Sequence, residues 1–321
     1  MLKTIINVLV LIFGFFGILR KREKGRSMQS KLFELLLRAN KNKFTTKEEV
    51  SKFLEKKKVQ NQKPYMLQDS LKLTSNVKQV TFNGMQTFIL SNQAAPNKKQ
   101  ILYLHGGAYI HQPLDFHWKF LDKIVMDTNA TIIVPIYPKA PEHQYKEAFD
   151  KVLPLYESLL SQANPRDIIV MGDSAGGGFS LALSQVLLEK NIDQPSKIIL
   201  LSPWLDLTMK NPKIPSLETK DPMLEKFELS VIGTYWAGNT DPNDFMLSPI
   251  NGPIKGLGKI TIFVGTHELL WPDAQLFRDL GNDQGVKINY FEYEKMNHTF
   301  PLIPIPEAKK AIKQIVDIIN R

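Results

Sequence analysis

Three arrangements of apolar residues follow one another along this chain, and each predicts a different element. The first is an unbroken run. Ile5 to Leu19 is apolar apart from Asn7 and carries no charge. As a helix, these fifteen residues span about 22 Å, short of the roughly 30 Å hydrocarbon core, a gap that snorkelling cations and local bilayer thinning can close. The second arrangement has helical spacing. Leu32, Leu35 and Leu36 form one stripe within Ser27 to Ala39, and Thr46-Lys47-Glu48-Glu49 is a capping box opening a second helix to about Lys58. The third alternates short strands with helices. Val77 to Phe82 and Met85 to Leu90 flank Asn83-Gly84, a dipeptide suited to a tight hairpin. Beyond it, Gln100 to Leu104, Thr131 to Val134, Asp167 to Met171, Lys197 to Leu201 and Lys259 to Val264 read as strands. They alternate with helical stretches around 115 to 129, 145 to 162, 174 to 190 and 273 to 280. This rhythm predicts βαβ units: an α/β domain with a mostly parallel central sheet and helices on both faces.

Composition narrows the classes. The 321 residues contain 43% hydrophobic side chains and only 18 Gly and 20 Pro, enough apolar material for a large core. There is no Cys, which excludes disulfides, thiolate metal sites and a Cys nucleophile. The net charge of +9 resembles a nucleic-acid signal until it is located. Residues 20 to 63 hold 15 Lys and Arg against 5 Glu, so the rest of the chain sums to −1. The excess lies directly after the apolar run, and five cations between Arg20 and Arg26 face only Lys3 and the α-amine on the other flank. That asymmetry predicts an uncleaved membrane anchor over residues 1–26, lipid contact through the basic segment and a cytoplasmic location for the domain that follows; the alternative is a signal peptide and a secreted protein. No nucleic-acid partner is expected.

The chemistry centres on Gly172-Asp173-Ser174-Ala175-Gly176, which follows one strand and opens a helix. A G-x-S-x-G in that context is a nucleophile elbow, a turn too tight for flanking Cβ atoms that raises the Ser hydroxyl at the sheet edge. Ser174 needs a base, held by an acid that precedes it in the chain. Two His lie downstream, His267 and His298, and only His298 has a suitable upstream acid. Glu268, the first carboxylate after the strand Lys259 to Val264, is the expected acid, with Asp273 the alternative. An oxyanion hole is expected from the backbone N–H groups of Gly106 and Gly107 in His105-Gly106-Gly107-Ala108, and of Ala175.

Four motifs in order, His105-Gly106-Gly107-Ala108, Tyr137-Pro138-Lys139-Ala140-Pro141-Glu142-His143, Gly172 to Gly177 and Ser202-Pro203-Trp204-Leu205-Asp206, make the chain from about Val77 onward resemble the hormone-sensitive-lipase-like branch of the α/β-hydrolases. The resemblance implies the α/β-hydrolase fold with a helical lid, here residues 27–70 and an insertion at about 208–250 within a hydrolase domain over 71–321. It also implies a serine carboxylesterase acting on short to medium acyl esters without metal or cofactor. Ser174, Glu268 and His298 would form the catalytic triad. Two positions depart from the family pattern: Ala108 replaces a third Gly, and Glu268 stands where Asp is usual. His105, Glu142 and His143 are expected to support the active-site loops, and His111 and His117 to be surface polar groups. Leu224, Phe227 and Trp236 are expected beside the acyl chain. Rival functions are an amide or formamide hydrolase or acyl-peptidase on the same triad, and a non-catalytic ligand receptor.

Overall fold

The computed structural model describes residues 25 to 321 apart from 42, 69 and 96. The anchor expected from Ile5 to Leu19 lies outside the described residues. Among those described, no helix is long and apolar enough to cross a membrane.

The described strands are Asn76–Phe82 (β1), Met85–Ser91 (β2), Gln100–Leu104 (β3), Thr131–Pro135 (β4), Ile168–Asp173 (β5), Lys197–Leu201 (β6), Lys259–His267 (β7) and Asn289–Asn297 (β8). They form one sheet in the order β1-β2-β4-β3-β5-β6-β7-β8. β1 and β2 pair antiparallel with Phe82 opposite Met85, and Asn83 and Gly84 make the turn at positive φ, as that dipeptide predicts. β2 runs antiparallel to β4, and every pairing from β4 to β8 is parallel. β8 is absent from the expected strands. It is an edge strand whose aromatic residues alternate with Glu and Lys, so it lacks the continuous apolar run of strands buried on both faces.

The helices are Met28–Asn40 (α1), Lys47–Asn61 (α2), Asp115–Thr128 (α3), Tyr145–Leu160 (α4), Ser174–Glu189 (α5), Lys226–Ala237 (α6), Trp271–Asp283 (α7) and Pro306–Asn320 (α8). Period-2 alternation in the strands assigns them to two layers. Ile101 and Tyr103 of β3 pack with Trp118 and Leu121 of α3 and Ile312 and Ile315 of α8. Leu102 and Leu104 face the other way, toward Val152 of α4 and Phe179 of α5. α7 completes this second layer through Ala274 and Phe277, which pack with Leu181 of α5.

The N-terminal helices bind to the segment between β6 and β7. Arg38 of α1 donates to the Thr219 and Lys220 carbonyls at 2.9 and 2.6 Å, and Lys41 donates to that of Asp221 at 2.9 Å. Ser51 of α2 meets Tyr235 of α6 at 3.1 Å. Glu34 of α1 is buried beside Arg26, Arg38 and His267; burial pushes its carboxyl up, but these partners prevail and hold it down at about 2. These contacts place α1 and α6 over the C-terminal ends of β3, β5 and β7, the edge at which open α/β sheets present ligand sites.

Candidate active site

The β5-to-α5 turn is set by what its glycines lack. A Cβ on Gly172 would strike the Gly176 carbonyl, and one on Gly176 would strike that of Leu104. Ser174, the first residue of α5, is held at φ 54°, a left-handed conformation that L residues adopt at a cost of about 1–3 kcal/mol. The strain is sustained by a helix start and a strand end packed too closely for another arrangement.

Ser174, Glu268 and His298 come together from three strand ends. Ser174 follows β5, Glu268 follows β7 and His298 follows β8. Ser174 Oγ lies 2.8 Å from His298 Nε2, and His298 Nδ1 lies 2.5 Å from Glu268 Oε2. Because an ionised carboxylate only accepts, Nδ1 carries the proton, Nε2 is bare, and the Ser174 hydroxyl donates to it. Glu268 is fully buried, and its other oxygen accepts from Ser202 Oγ at 2.8 Å and the Gly265 N–H at 2.7 Å. Burial pushes the imidazole pKa of His298 down, but the hydrogen bond to Glu268 and its charge more than offset this, so the net shift is upward. Asp273, the alternative acid, points elsewhere: it accepts from Asn211 at 2.8 Å, and burial raises its carboxyl to about 7. Sequence reasoning missed Ser202, whose hydroxyl also accepts the Thr299 N–H at 3.0 Å and so joins the acid to the loop carrying His298. The Ser202-to-Asp206 motif was its signal.

The loop after β3 requires a correction. The Gly106 N–H donates to Asp173 Oδ1 at 2.8 Å, so it is already taken and does not face Ser174 as an oxyanion donor. Gly107 and Ala108 line the cavity with Ser174, and their N–H groups meet no acceptor among the described residues. Ala175 stands in the first turn of α5, where a backbone N–H has no partner within the helix. Of the expected Gly106, Gly107 and Ala175, Gly106 is thus engaged elsewhere, and Gly107, the adjacent Ala108 and Ala175 remain as candidate donors. Asp173 also accepts from Tyr103 Oη at 2.6 Å and lies 3.3 Å from His117 Nε2. His117 Nδ1 accepts the Leu114 N–H at 3.0 Å, which puts the ring proton on Nε2, facing Asp173. Burial raises the Asp173 pKa, yet the neighbouring His117 and the hydrogen bonds from Tyr103 and Gly106 turn the net shift downward.

Other expectations change at the cavity, which holds about 410 Å³ in front of Ser174. His117 is buried, and His111 lines the cavity with its imidazole pushed down to about 4 by burial and by Lys57, so neither is a surface group. Leu224 lines the cavity. Phe227 instead turns outward, 40% exposed, and Trp236 lies beneath the wall, stacked on Tyr109 at 4.3 Å. The apolar wall includes Leu37, Ile110, Leu114, Phe116, Leu229 and Ile232 in addition to Leu224. His105 does support its loop: its Nδ1 lies 2.7 Å from the Gly106 carbonyl, and its ring stacks on Tyr137. Glu142 accepts from Gln62 at 3.2 Å just beyond the end of α2, and His143 pairs with Glu147 at 2.7 Å, both at the surface.

A Ser–His–carboxylate chain on a strained strand-to-helix turn, at the C-terminal edge of a largely parallel sheet, defines a hydrolase of the α/β class, and comparison with known proteins agrees. The family model described as alpha/beta hydrolase fold matches residues 101–302, and the chain belongs to that family. An esterase of Acinetobacter venetianus is 32% identical over 248 residues, covering 76% of this chain and 82% of that one. A solved structure from Staphylococcus aureus, provisionally designated an esterase, superposes with a TM-score of 0.84 at 35% identity, covering 87% of this chain and 94% of that one. A hormone-sensitive lipase from a metagenome library shares the fold, with a TM-score of 0.78 at 24% identity over 91% of this chain and 97% of that one.

Proposed function

We propose that this member of the family hydrolyses carboxylic esters of short to medium acyl chains by two-step acyl transfer. The observation that carries the reading is the continuous hydrogen-bonded chain Ser174–His298–Glu268 at the mouth of an apolar-walled cavity. In the first step Ser174 Oγ attacks the ester carbonyl while its proton passes to His298 Nε2. Glu268 fixes the tautomer that leaves Nε2 free and stabilises the imidazolium. The N–H groups of Gly107, Ala108 and Ala175 receive the oxyanion; one such donor contributes about 3–4 kcal/mol in the transition state. His298 then protonates the leaving alcohol. Water, deprotonated by the same nitrogen, releases the acid.

The helical cover formed by α1, α2 and the 208–250 insertion acts in this reading as the lid that shapes the acyl site. The cavity volume suits a short or medium chain, and the apolar wall favours it over a charged acyl group. The test is hydrolysis of p-nitrophenyl esters from acetyl to palmitoyl by the full chain and by Ser174→Ala. The expected result is turnover that peaks below about eight acyl carbons, given a cavity at the small end of the ligand-site range, and falls by about 10⁵-fold or more in the variant. Full activity in Ser174→Ala would overturn the reading, and turnover confined to amides would move it to an amidase. Membrane attachment through residues 1–26 is a separate proposal, supported by the apolar run and its basic flank. Flotation with anionic vesicles tests it: the full chain is expected to float and a chain lacking those residues to sediment.

A further inference from the structure

Three carboxylates line the cavity in front of Ser174, and two are satisfied. Asp173 is held by Tyr103, Gly106 and His117, and Glu225 pairs with Lys41 at 2.9 Å. Glu228 is the third. It stands in the first turn of α6, caps none of that helix's N–H groups, and makes neither a hydrogen bond nor an ion pair among the described residues. Lys41 is already committed to Glu225 and to the Asp221 carbonyl. A half-buried acid lining the same cavity as Ser174, with no protein partner among the described residues, changes the energetics of binding. A plain alkyl ester entering the cavity expels that water and leaves the carboxyl without a partner, which is costly.

We infer that Glu228 selects esters bearing a free hydroxyl group, on the alcohol arm as in partial esters of polyols or on the acyl arm as in hydroxyacyl esters. The inference rests on the esterase reading and specifies its substrate class. A hydroxyl is matched to this carboxyl in either protonation state, because it donates to the carboxylate and accepts from the acid. That distinction matters here: burial first, then the neighbouring Glu225 charge, raises Glu228 to about 7, so both forms are present near neutrality. A cationic substrate would suit only the ionised form and would meet Lys41 at the same wall. The apolar residues Leu114, Phe116 and Leu229, which line the same cavity, hold the carbon skeleton.

The experiment compares kcat/KM of the full chain on two matched pairs, glyceryl monobutyrate against propyl butyrate, and methyl 3-hydroxybutyrate against methyl butyrate. p-Nitrophenyl butyrate and butyrylcholine serve as controls. At least one hydroxylated ester is expected to exceed its partner by roughly tenfold to a hundredfold, mainly through KM, and the pair that responds identifies the arm. Glu228→Leu is expected to erase that ratio, by removing the partner of the substrate hydroxyl and by sparing the plain ester the desolvation of a carboxyl, with p-nitrophenyl butyrate turnover retained or raised. Glu228→Gln, which keeps a donor and an acceptor, is expected to retain most of it. Should Glu228→Leu fail to melt cooperatively, Glu228→Ala provides the same comparison. Equal rates within both pairs in the unmutated chain, an unchanged ratio in a folded Glu228→Leu, or a preference for butyrylcholine over glyceryl monobutyrate would each overturn the inference and leave the esterase standing. No turnover of any ester, p-nitrophenyl butyrate included, would remove the esterase reading and this inference with it.

Discussion

Ser174 stands between two buried carboxylates that the same burial leaves with opposite tasks. On the β7–β8 side, Glu268 accepts from Ser202 and Gly265 with one oxygen and gives the other to His298. On the β3 side, Asp173 accepts from Tyr103 and Gly106 with one oxygen, and the other faces His117. Each carboxylate fixes a loop through one oxygen. Only Glu268 has an imidazole on the second oxygen that in turn reaches Ser174. The role of a buried acid is thus set by what its partner touches next, and the two sides should respond differently to the same isosteric change.

That contrast is sharpest in the amide variants. Glu268→Gln would present an N–H donor to His298 Nδ1 and favour the wrong tautomer, so kcat on p-nitrophenyl butyrate is expected to fall by about 10³- to 10⁴-fold. Asp173→Asn keeps an oxygen for Tyr103 and Gly106 but turns an amide N–H toward the protonated Nε2 of His117; because His117 does not reach Ser174, that mismatch falls on the loop and less than about tenfold loss in kcat is expected. Comparable losses in the two variants would break the assignment of separate tasks.

Truncation should bring the Asp173 side forward. Asp173→Ala strips the acceptor from the buried Tyr103 hydroxyl and Gly106 N–H, and a loss of about 2–5 kcal/mol in unfolding free energy is expected by denaturant titration. An unchanged midpoint would mean that the β3 loop does not depend on this carboxylate.

The pH profile tests the imidazole directly. His298 must be neutral to accept the Ser174 proton, and Glu268 holds its pKa above the usual value against the downward push of burial. kcat/KM is therefore expected to fall as pH drops through that raised pKa and to level off above it. In Glu268→Gln the limb should move to lower pH. Stability runs the opposite way: a raised folded pKa favours the protonated fold, so this contribution is present below the unfolded pKa and is lost as pH rises through the folded one. An acidic limb that stays in place in Glu268→Gln would detach the imidazole from Glu268. The smallest effect is expected for Asp273→Asn, whose side chain belongs to Asn211; kcat should stay within about threefold, since the substitution keeps the acceptor that Asn211 uses.

The elements that could be read from the linear pattern were those whose cause is local. The turn at Asn83-Gly84, the capping box at Thr46 and the elbow glycines each answer to neighbours within a few residues, and the structure places them as the pattern predicts. The central strands were visible because burial on both faces demands an unbroken apolar run. β8 was not, because an edge strand shares one face with solvent and its Glu and Lys break that run. Phe227 and Trp236 misled for a related reason: apolar character shows that a side chain avoids water in some setting but not which of several apolar settings it occupies.

Residue types and their order along the chain were sufficient to single out a Ser, a Glu and a His for one site, because the chemistry of an activated hydroxyl restricts which side chains can serve and the strand-to-helix turn restricts where the Ser can stand. Direction was beyond them. That the Gly106 N–H is spent on Asp173, that Ser202 holds Glu268 and that Glu228 lines the cavity of Ser174 without a partner among the described residues are outcomes of segments brought together across 67, 66 and 54 positions of the chain. A hydrogen bond is decided by distance and angle within fractions of an ångström, and only the packed sheet and its covering helices set those.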